Sequence, residues 1–532
     1  MLFKKHIVAL VLCSLLFVPA LAQQSRTSRI EESLTIFNDV LRQLDMNYVD
    51  TLNYESISET AINNALYKVD PYTIYYPKKK DDDLRMLTTG KYGGIGAIIQ
   101  QRDSQVIIAN PYEGKPAQRN DVLAGDVLIS VDGTSVQGKK VPDVSQLLRG
   151  EPGSIVKLEL NRDGQIITRE FAREDIHLEP VDYYTTLHID STNQTFGYIS
   201  FREFTEGSAN EFSQSLNDLM TNHHISGLVF DLRGNGGGII EEAIRIVSLF
   251  VPKGTLIVST KGKIRTANNT YVTQVEPTYP DLPLVVLVDK NSASASEIVS
   301  GSLQDLKRAT LIGQRTFGKG LVQNLRPIVY GGHLKVTTSK YYLPSGRCIQ
   351  AIDYAEMQRG NKLTKDTAGG ILPDIVLNDS AKVDITYTLY TKNMFFDYSV
   401  KYHREHEHIT RPTEYEVSDS TMADFNHFLE SNNFTYETET SKYFHDMLKM
   451  AEMEDIDSST IAALKEIEPR LKPSFQEAIQ RNLDEVKEYL GAELMERYYF
   501  QQGRTAYMLR FDKELKRAVQ ELSSNDKNRT RN

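Results

Sequence analysis

Three short stretches of this chain carry groups that could break an acyl bond. The first is Asn291-Ser292-Ala293-Ser294-Ala295-Ser296-Glu297, which follows the apolar run Leu284 to Val288 and precedes an apparent helix. A serine on a sharp strand-to-helix turn presents its hydroxyl at the carboxyl edge of a sheet. The first amides of the helix then point to where an oxyanion would form. Ser294-x-x-Glu297 is equally a capping box, which alone marks only a helix start. The second stretch is Thr316-Phe317-Gly318-Lys319-Gly320, just after the apolar run Thr310 to Ile312. A lysine between glycines and beside Phe317 and Leu321 can be desolvated, which makes a neutral amine available as a base. Its plainer reading is an exposed turn. The third is Asp231-Leu232-Arg233-Gly234-Asn235-Gly236-Gly237-Gly238, where three glycines allow close backbone approach and leave amides open.

A serine hydroxyl is a weak nucleophile and needs a base. His333 is the nearest histidine on the carboxyl side, at the start of a strand, so a Ser/His/Asp arrangement through it stays open. The glycines that flank the serine of a hydrolase nucleophile elbow are absent. Two other patterns lead away from chemistry. Gly313 to Gly320 is close to a phosphate-binding loop, but Gly320 stands where that loop needs Ser or Thr, and strand rather than helix follows. His403, Glu405, His406, Glu407 and His408 could in principle ligate a metal. They lie in a charged stretch with no evident supporting shell and read as a solvated face. No metal and no cofactor are expected.

The elements that would position these groups follow from periodicity. Phe196 to Phe201, Gly227 to Leu232, Leu284 to Val288 and Thr310 to Ile312 read as buried strands of a mostly parallel sheet. Helices fit between them at Ala209 to Met220, Ile239 to Phe250 and Ser296 to Leu306. Strand ends carrying a serine and open amides would converge at one edge of such a sheet. His333 to Leu343 alternates as a longer strand. Upstream, Gly90 to Arg173 is a different texture of short strands and glycine turns, with strands at Ile95 to Ile99, Gln105 to Ala109, Val127 to Val131 and Val156 to Leu160, and a short helix at Val141 to Leu148. Before it, Leu34, Phe37, Leu41 and Leu44 share one helical face, and Ile57, Ala61, Ile62 and Leu66 another. Lys78 to Asp83 reads as a solvated surface loop. After about Ile385 charged and apolar residues mix at helical spacing, as in Ile461 to Leu471 and Phe475 to Leu490. The last ten residues are polar and are expected to be disordered.

The 532 residues carry 61 Lys and Arg against 71 Asp and Glu, a formal charge of 61 − 71 = −10, with 40% hydrophobic residues. That is a globular composition, and too acidic for a protein that wraps nucleic acid. Lys4 and Lys5 precede an apolar run from Ile7 to Leu21 that ends in Ala20-Leu21-Ala22. This is the layout of a secretory leader, and the run is short for a span of about 20 residues. Cleavage after Ala22 would remove Lys4, Lys5 and Cys13, leave a charge of 59 − 71 = −12, and make Cys348 the sole thiol.

Asp231-Leu-Arg-Gly-Asn-Gly-Gly-Gly, Asn291-Ser-Ala-Ser-Ala-Ser-Glu-Ile and Thr316-Phe-Gly-Lys-Gly-Leu-Val-Gln323 occur in that order, and together they resemble the carboxyl-terminal processing peptidases, or tail-specific proteases. Val69-Asp-Pro-Tyr-Thr73, Tyr342-Leu-Pro-Ser-Gly-Arg347 and Gly370-Ile-Leu-Pro-Asp374 fit the same family. The ordered set is specific although each motif alone is weak. The resemblance implies a Ser/Lys dyad, with Ser294 as nucleophile, Lys319 as general base and Gln323 orienting the lysine. It implies oxyanion donors at Ala295 and one glycine of 236–238, by position Gly238. It also implies a PDZ domain whose Gly93, Gly94, Ile95, Gly96 and Ala97 capture a substrate carboxyl terminus. The peptide would then add as a strand beside Ile95 to Ile99.

The expected architecture is α/β and multidomain: a protease core with a mostly parallel sheet, an inserted PDZ β-domain, a helical amino-terminal lead and a helical carboxyl-terminal domain. The expected boundaries are a leader at 1–22, the helical lead at 23–87, the PDZ domain at 88–175, the core at 176–384, the helical domain at 385–522 and a tail at 523–532. The expected function is a periplasmic serine endopeptidase acting on proteins with free carboxyl termini. A non-catalytic peptide-binding scaffold and a lipid carrier on the same fold are the alternatives, and both would be expected to have lost Ser294, Lys319 or Gln323. Residues beyond 385 match nothing in the resemblance. Dimerisation, capping of the active site and docking of an adaptor are the roles open to them.

Overall fold

The computed structural model describes residues 26–189, 193–359, 369–377 and 384–529. The expected leader lies outside the described residues. The chain divides into two compact units, residues 1–65 and 66–532. In the first, the described residues form the lead helix Arg26–Asn47 and most of a second helix, Tyr54–Tyr67. Ile30, Leu34 and Phe37 lie exposed along the lead helix. No described helix is long and apolar enough to cross a membrane.

The second unit holds the sheets. The catalytic sheet has six strands, in the spatial order Val181–Ile189, Gln194–Phe201, Leu228–Asp231, Leu284–Val288, Thr310–Gly313 and Ile375–Val376. All neighbouring pairs are parallel except the first. This is the sheet that the four apolar runs predict. On one face lie the helices Ser208–Thr221, Ile240–Ser248 and Ala295–Asp305, whose Phe212, Ile246, Val247, Ile298 and Val299 close a core over Phe230, Val286 and Val288. The other face is covered from the far end of the chain. Leu515, Ala518 and Leu522 of the closing helix Lys513–Arg529 pack on Phe196, Tyr198, Val229, Val285, Leu287 and Ile312.

That closing helix runs to Arg529, past Ser523 where the tail is expected to begin. Composition reads the polar end residue by residue, but the helix is anchored upstream by its apolar stripe and propagates from there. The stripe is worth about 2 kcal/mol for each buried leucine. Removing residues 512–532 is therefore expected to cost about 5 kcal/mol or more, because it also strands a buried arginine described below. Urea denaturation of the shortened chain measures it.

A second sheet was not foreseen. His333–Tyr342 is its hub, pairing antiparallel with Ile74–Tyr76, Leu256–Gly262 and Leu321–Pro327. The Lys78 to Asp83 run is also not a loop. Lys78–Lys80 is a 3-10 turn and Asp81–Thr89 is an α-helix, with three aspartates in its first turn, where the helix dipole favours negative charge.

The PDZ strands Ala97–Arg102, Gln105–Pro111, Val127–Val131, Ile155–Arg162 and Gln165–Ala172 form one antiparallel sheet around Val106, Ile108, Leu128, Val156 and Leu158. Its helix is Val141–Leu148, as the sequence suggests. Residues from Ile385 to Met508 form a helical domain around Phe395, Tyr398, Phe425, Leu490 and Met495. The helical spacing from Phe475 to Leu490 spans two helices, Phe475–Arg481 and Leu483–Met508, broken at Asn482. The helical domain grips the PDZ sheet through Arg102 to Asp397 at 2.5 Å, Asn110 to Glu496 at 2.8 Å and Gln100 to Asn393 at 3.1 Å.

Candidate active site

Ser294 sits between the strand Leu284–Val288 and the helix Ala295–Asp305, with φ 57° and ψ −113°. A non-glycine residue in that region is strained, and such strain collects at functional turns. The glycine stretch comes to meet it. Gly237 has φ 100°, and a Cβ built there would lie 2.7 Å from Ser294 Cβ and 2.8 Å from the Ala295 nitrogen. Only glycine fits. The buried Asn235 locks the two loops together. Its amide donates to the Phe201 carbonyl at 2.8 Å, and its Oδ1 accepts from Gly237 N–H at 2.8 Å. Its carbonyl accepts from Ala293 N–H at 3.0 Å and from the Ser296 hydroxyl at 2.9 Å.

This pairing sets Gly237 apart from its two neighbours. The Gly237 amide is committed to Asn235. Gly238, at φ 143°, packs against the Phe204 carbonyl. Among the described residues, no acceptor pairs with the amides of Gly238 and Ala295.

Lys319 lies on the loop between Thr310–Gly313 and Leu321–Pro327. Glu297 ties the lysine loop to the serine loop. Its Oε1 accepts from the Thr316 hydroxyl at 2.5 Å and from Gly318 N–H at 2.8 Å. Its Oε2 accepts from Lys319 N–H and Ser294 N–H, both at 2.9 Å. Burial raises this carboxyl above the usual glutamate range, and the four donors oppose that rise. On the other side, the buried Tyr341 hydroxyl reaches the carbonyls of Lys319 at 2.8 Å and Ser294 at 3.1 Å. The capping-box reading of Glu297 is thus correct and incomplete. The contact with Ser294 is local, while the other three reach 19 to 22 positions along the chain.

Burial, with Lys335 next in effect, pushes the Lys319 ammonium down to about 8; Glu297 and Asp70 pull the other way. A base acts only when neutral, so activity should rise about tenfold per pH unit well below 8 and level off above it. An unperturbed lysine would place that bend near 10.4. A pH profile of kcat/KM checks it.

Gln323, expected to orient the lysine, bonds across its hairpin. Among the described residues its amide donates to Thr337 Oγ1 at 3.2 Å rather than to Lys319. A bulge between Val322 and Gln323 re-aims the side chain across the hairpin. The histidine alternative also falls. His333 lies on the strand His333–Tyr342 eight positions from Tyr341, or roughly 26 Å of strand. His403 meets Tyr498 edge-on and His406 stacks on Tyr402, and among the described residues no group of three His, Cys, Asp or Glu could hold a metal.

Arg233 anchors the start of the glycine stretch. It bridges Asp231 at 2.5 Å, Asp512 at 2.6 Å and Glu514 at 2.7 Å, and Tyr198 donates to Asp231 at 2.7 Å. Burial would raise the Asp231 carboxyl, but the Arg233 guanidinium holds it below its ordinary range. The closing helix thus grips the loop that faces Ser294. No local signal in the sequence announces that pairing.

In the PDZ domain the carboxylate loop is shaped differently from its sequence reading. Lys91–Gly94 pairs with Glu174–His177, and the free edge strand begins only at Ala97 and runs to Arg102. Ile95 and Gly96 form the bend, with their carbonyls taken by the amides of Ala117 at 2.8 Å and Tyr112 at 2.9 Å. A cleft of about 220 Å³ lies beside the bend, lined by Tyr92, Ile98, Tyr112, Leu148 and Arg149 among others.

A strained serine and a half-buried lysine on an α/β core, joined in one chain to a PDZ domain, point to a serine protease. Residues 195–377 match peptidase family S41, residues 107–162 match the PDZ domain, and residues 385–522 match the C-terminal helical domain of probable PDZ-proteases. The chain is 32% identical over 363 residues to a carboxy-terminal-processing protease of Bartonella bacilliformis, covering 66% of this chain and 78% of that one. It is 32% identical over 324 residues to a probable CtpA-like serine protease of Staphylococcus aureus, covering 60% and 63% respectively. A solved photosystem II D1 C-terminal processing protease is 28% identical, with 64% and 86% covered and a TM-score of 0.37. The chain belongs to peptidase family S41, among its PDZ-bearing carboxy-terminal-processing proteases.

Proposed function

We propose that Ser294 is the nucleophile and Lys319 the general base of an endopeptidase that cuts proteins near their carboxyl termini. The observation that carries this is the buried Glu297 carboxylate, which holds the backbone amides of both residues at 2.9 Å. Neutral Lys319 takes the Ser294 hydroxyl proton as the oxygen attacks the scissile carbonyl. The oxyanion is received by the amides of Ala295 and Gly238, neither of which has an acceptor among the described residues. Collapse expels the amine, which leaves with the proton from the Lys319 ammonium. Water, deprotonated by the same lysine, then hydrolyses the acyl-enzyme.

The substrate's free carboxylate would rest on the amides of the Gly93–Ala97 bend, and its last residues would add beside the edge strand Ala97–Arg102. Two measurements test this. A serine-directed fluorophosphonate is expected to label Ser294, seen by peptide mass mapping; labelling elsewhere overturns the nucleophile. Amidating the substrate's carboxyl terminus is expected to raise KM at least tenfold; an unchanged KM overturns carboxylate capture.

The remaining readings rest on sequence. Removal of residues 1–22 and a periplasmic location are supported by the Lys4 to Ala22 pattern, and the amino terminus of the secreted protein decides them. The domain boundaries at 88–175, 176–384 and 385–522 are proposed on the changes of texture. Self-association is supported by the exposed Ile30, Leu34 and Phe37, and an adaptor contact by the helical domain; sedimentation of the pure protein decides the former. The scaffold alternative is disfavoured because Ser294 and Lys319 are both retained.

A further inference from the structure

Lys319 Nζ lies over an aromatic ring from a distant segment, 4.7 Å from the centroid of Tyr72. Nothing in the dyad chemistry asks for that ring, yet its placement is controlled on every side. Asp70, itself buried, folds the backbone beneath it: Oδ1 accepts from Tyr72 N–H at 2.8 Å and Thr73 N–H at 2.7 Å, and Oδ2 accepts from the Thr73 hydroxyl at 3.1 Å. Thr73 Oγ1 then accepts from Thr337 N–H at 3.3 Å, on the strand whose Thr337 also takes the Gln323 amide. The next residues, Ile74–Tyr76, join that strand as an added edge. From the far side Tyr354 meets the Tyr72 ring edge-on at 6.1 Å. A turn, a hydroxyl bridge, a strand pairing and a ring contact all converge on one side chain.

We propose that Tyr72 is a positioning residue for the base: its ring is the wall that keeps Lys319 Nζ dry and aimed at Ser294, so that the segment ahead of the PDZ domain completes the active site. This rests on the dyad reading above. The charged and titratable groups around the amine are Asp70 and Tyr72 from the turn, Lys335 from the hub strand and Glu297 from the serine helix, with Tyr354 behind the ring. Two opposite influences meet at the ring. Its face attracts an ammonium, while its bulk excludes the water that an ammonium needs. Removing the whole ring admits water. Replacing it with an aliphatic side chain keeps the site dry and removes only the attraction.

The substitutions Tyr72→Ala, Tyr72→Leu and Tyr72→Phe separate these effects through the pH profile of kcat/KM. Tyr72→Ala is expected to move the basic bend upward by at least one pH unit. Its rate should fall at least tenfold at pH 7 and recover as the pH approaches 10. Tyr72→Leu is expected to move the bend down or leave it, and Tyr72→Phe, which keeps the ring, to hold the wild-type profile. A wild-type bend in Tyr72→Ala overturns the proposal, as does a loss of rate that pH does not recover. Should Tyr72→Ala fail to fold, an upward bend in Tyr72→Phe overturns it, and a bend at or below wild type in Tyr72→Leu together with a wild-type bend in Tyr72→Phe supports it. Lys319→Ala run beside them tells the two failures apart: if that variant still cleaves, the dyad reading itself is wrong.

Discussion

Lys319→Ala and Ser294→Ala are each expected to lower kcat on the order of ten-thousandfold or more, with the fold intact. Groups that act as one chemical unit fail together, so the double substitution should be no worse than either alone. Lys319→Arg should be equally inert, because a guanidinium stays protonated and cannot accept the serine proton. Lys319→Met is the sharper control. It keeps the length and apolar stem of the side chain and removes only the amine. Since the amine is held partly charged at neutral pH in a buried place, Lys319→Met should melt no lower than wild type. Turnover of a peptide substrate and a thermal melt on the same preparations measure both. A Lys319→Met variant that cleaves at more than a hundredth of the wild-type rate would remove the lysine from the chemistry.

Glu297→Ala is expected to lower kcat on the order of 100- to 1,000-fold although the carboxylate touches no substrate. Four donors converge on its two oxygens. Each buried donor left unpaired costs about 1–3 kcal/mol, and about 3 kcal/mol at the transition state is already over 100-fold. Glu297→Gln should be nearly as damaging, for a specific reason. Oε1 receives Thr316 and Gly318, and Oε2 receives Ser294 and Lys319. An amide has only one oxygen, so either orientation turns its NH₂ toward two donors. Protonation of the native carboxyl places an O–H in the same conflict. The raised glutamate pKa therefore predicts that activity is lost on the acid side earlier than an ordinary carboxylate would allow. Steady-state kinetics and hydrogen exchange at the two loops check both variants. A Glu297→Gln enzyme of wild-type rate would show that the loops hold their places without it.

Much of the protease core was readable because its signals are local. Buried parallel strands are short apolar runs, and Leu284–Val288 is found where the run lies. The PDZ helix Val141–Leu148 is equally plain. Ser294 and Lys319 were readable through ordered motifs. What escaped is what acts at a distance. Tyr341 crosses 47 positions to Ser294, and Arg233 crosses 279 to Asp512. Glu297 looked like a helix cap because its one local bond is a cap. The bond from Gln323 to Thr337 beside a bulge was equally out of reach, because a bulge has no composition of its own. The second sheet escaped because its members lie as far apart as Ile74 and Tyr342.

The closing helix has a consequence in time. A chain is made from its amino terminus, at roughly 5–20 residues per second. Ser294, Lys319 and the glycine stretch all emerge long before Lys513. Through that interval one face of the catalytic sheet has no cover, and Arg233 lacks Asp512 and Glu514, two of its three carboxylates. Ser294 and Lys319 exist, but the glycine loop opposite Ser294 is not yet held. A chain that lacks residues 512–532 is expected to carry Ser294 and Lys319 yet to cleave poorly, because Arg233 has lost Asp512 and Glu514. The residues from Asp512 to Leu522, made after Ser294 and Lys319, are expected to fix the loop that the proposed dyad needs.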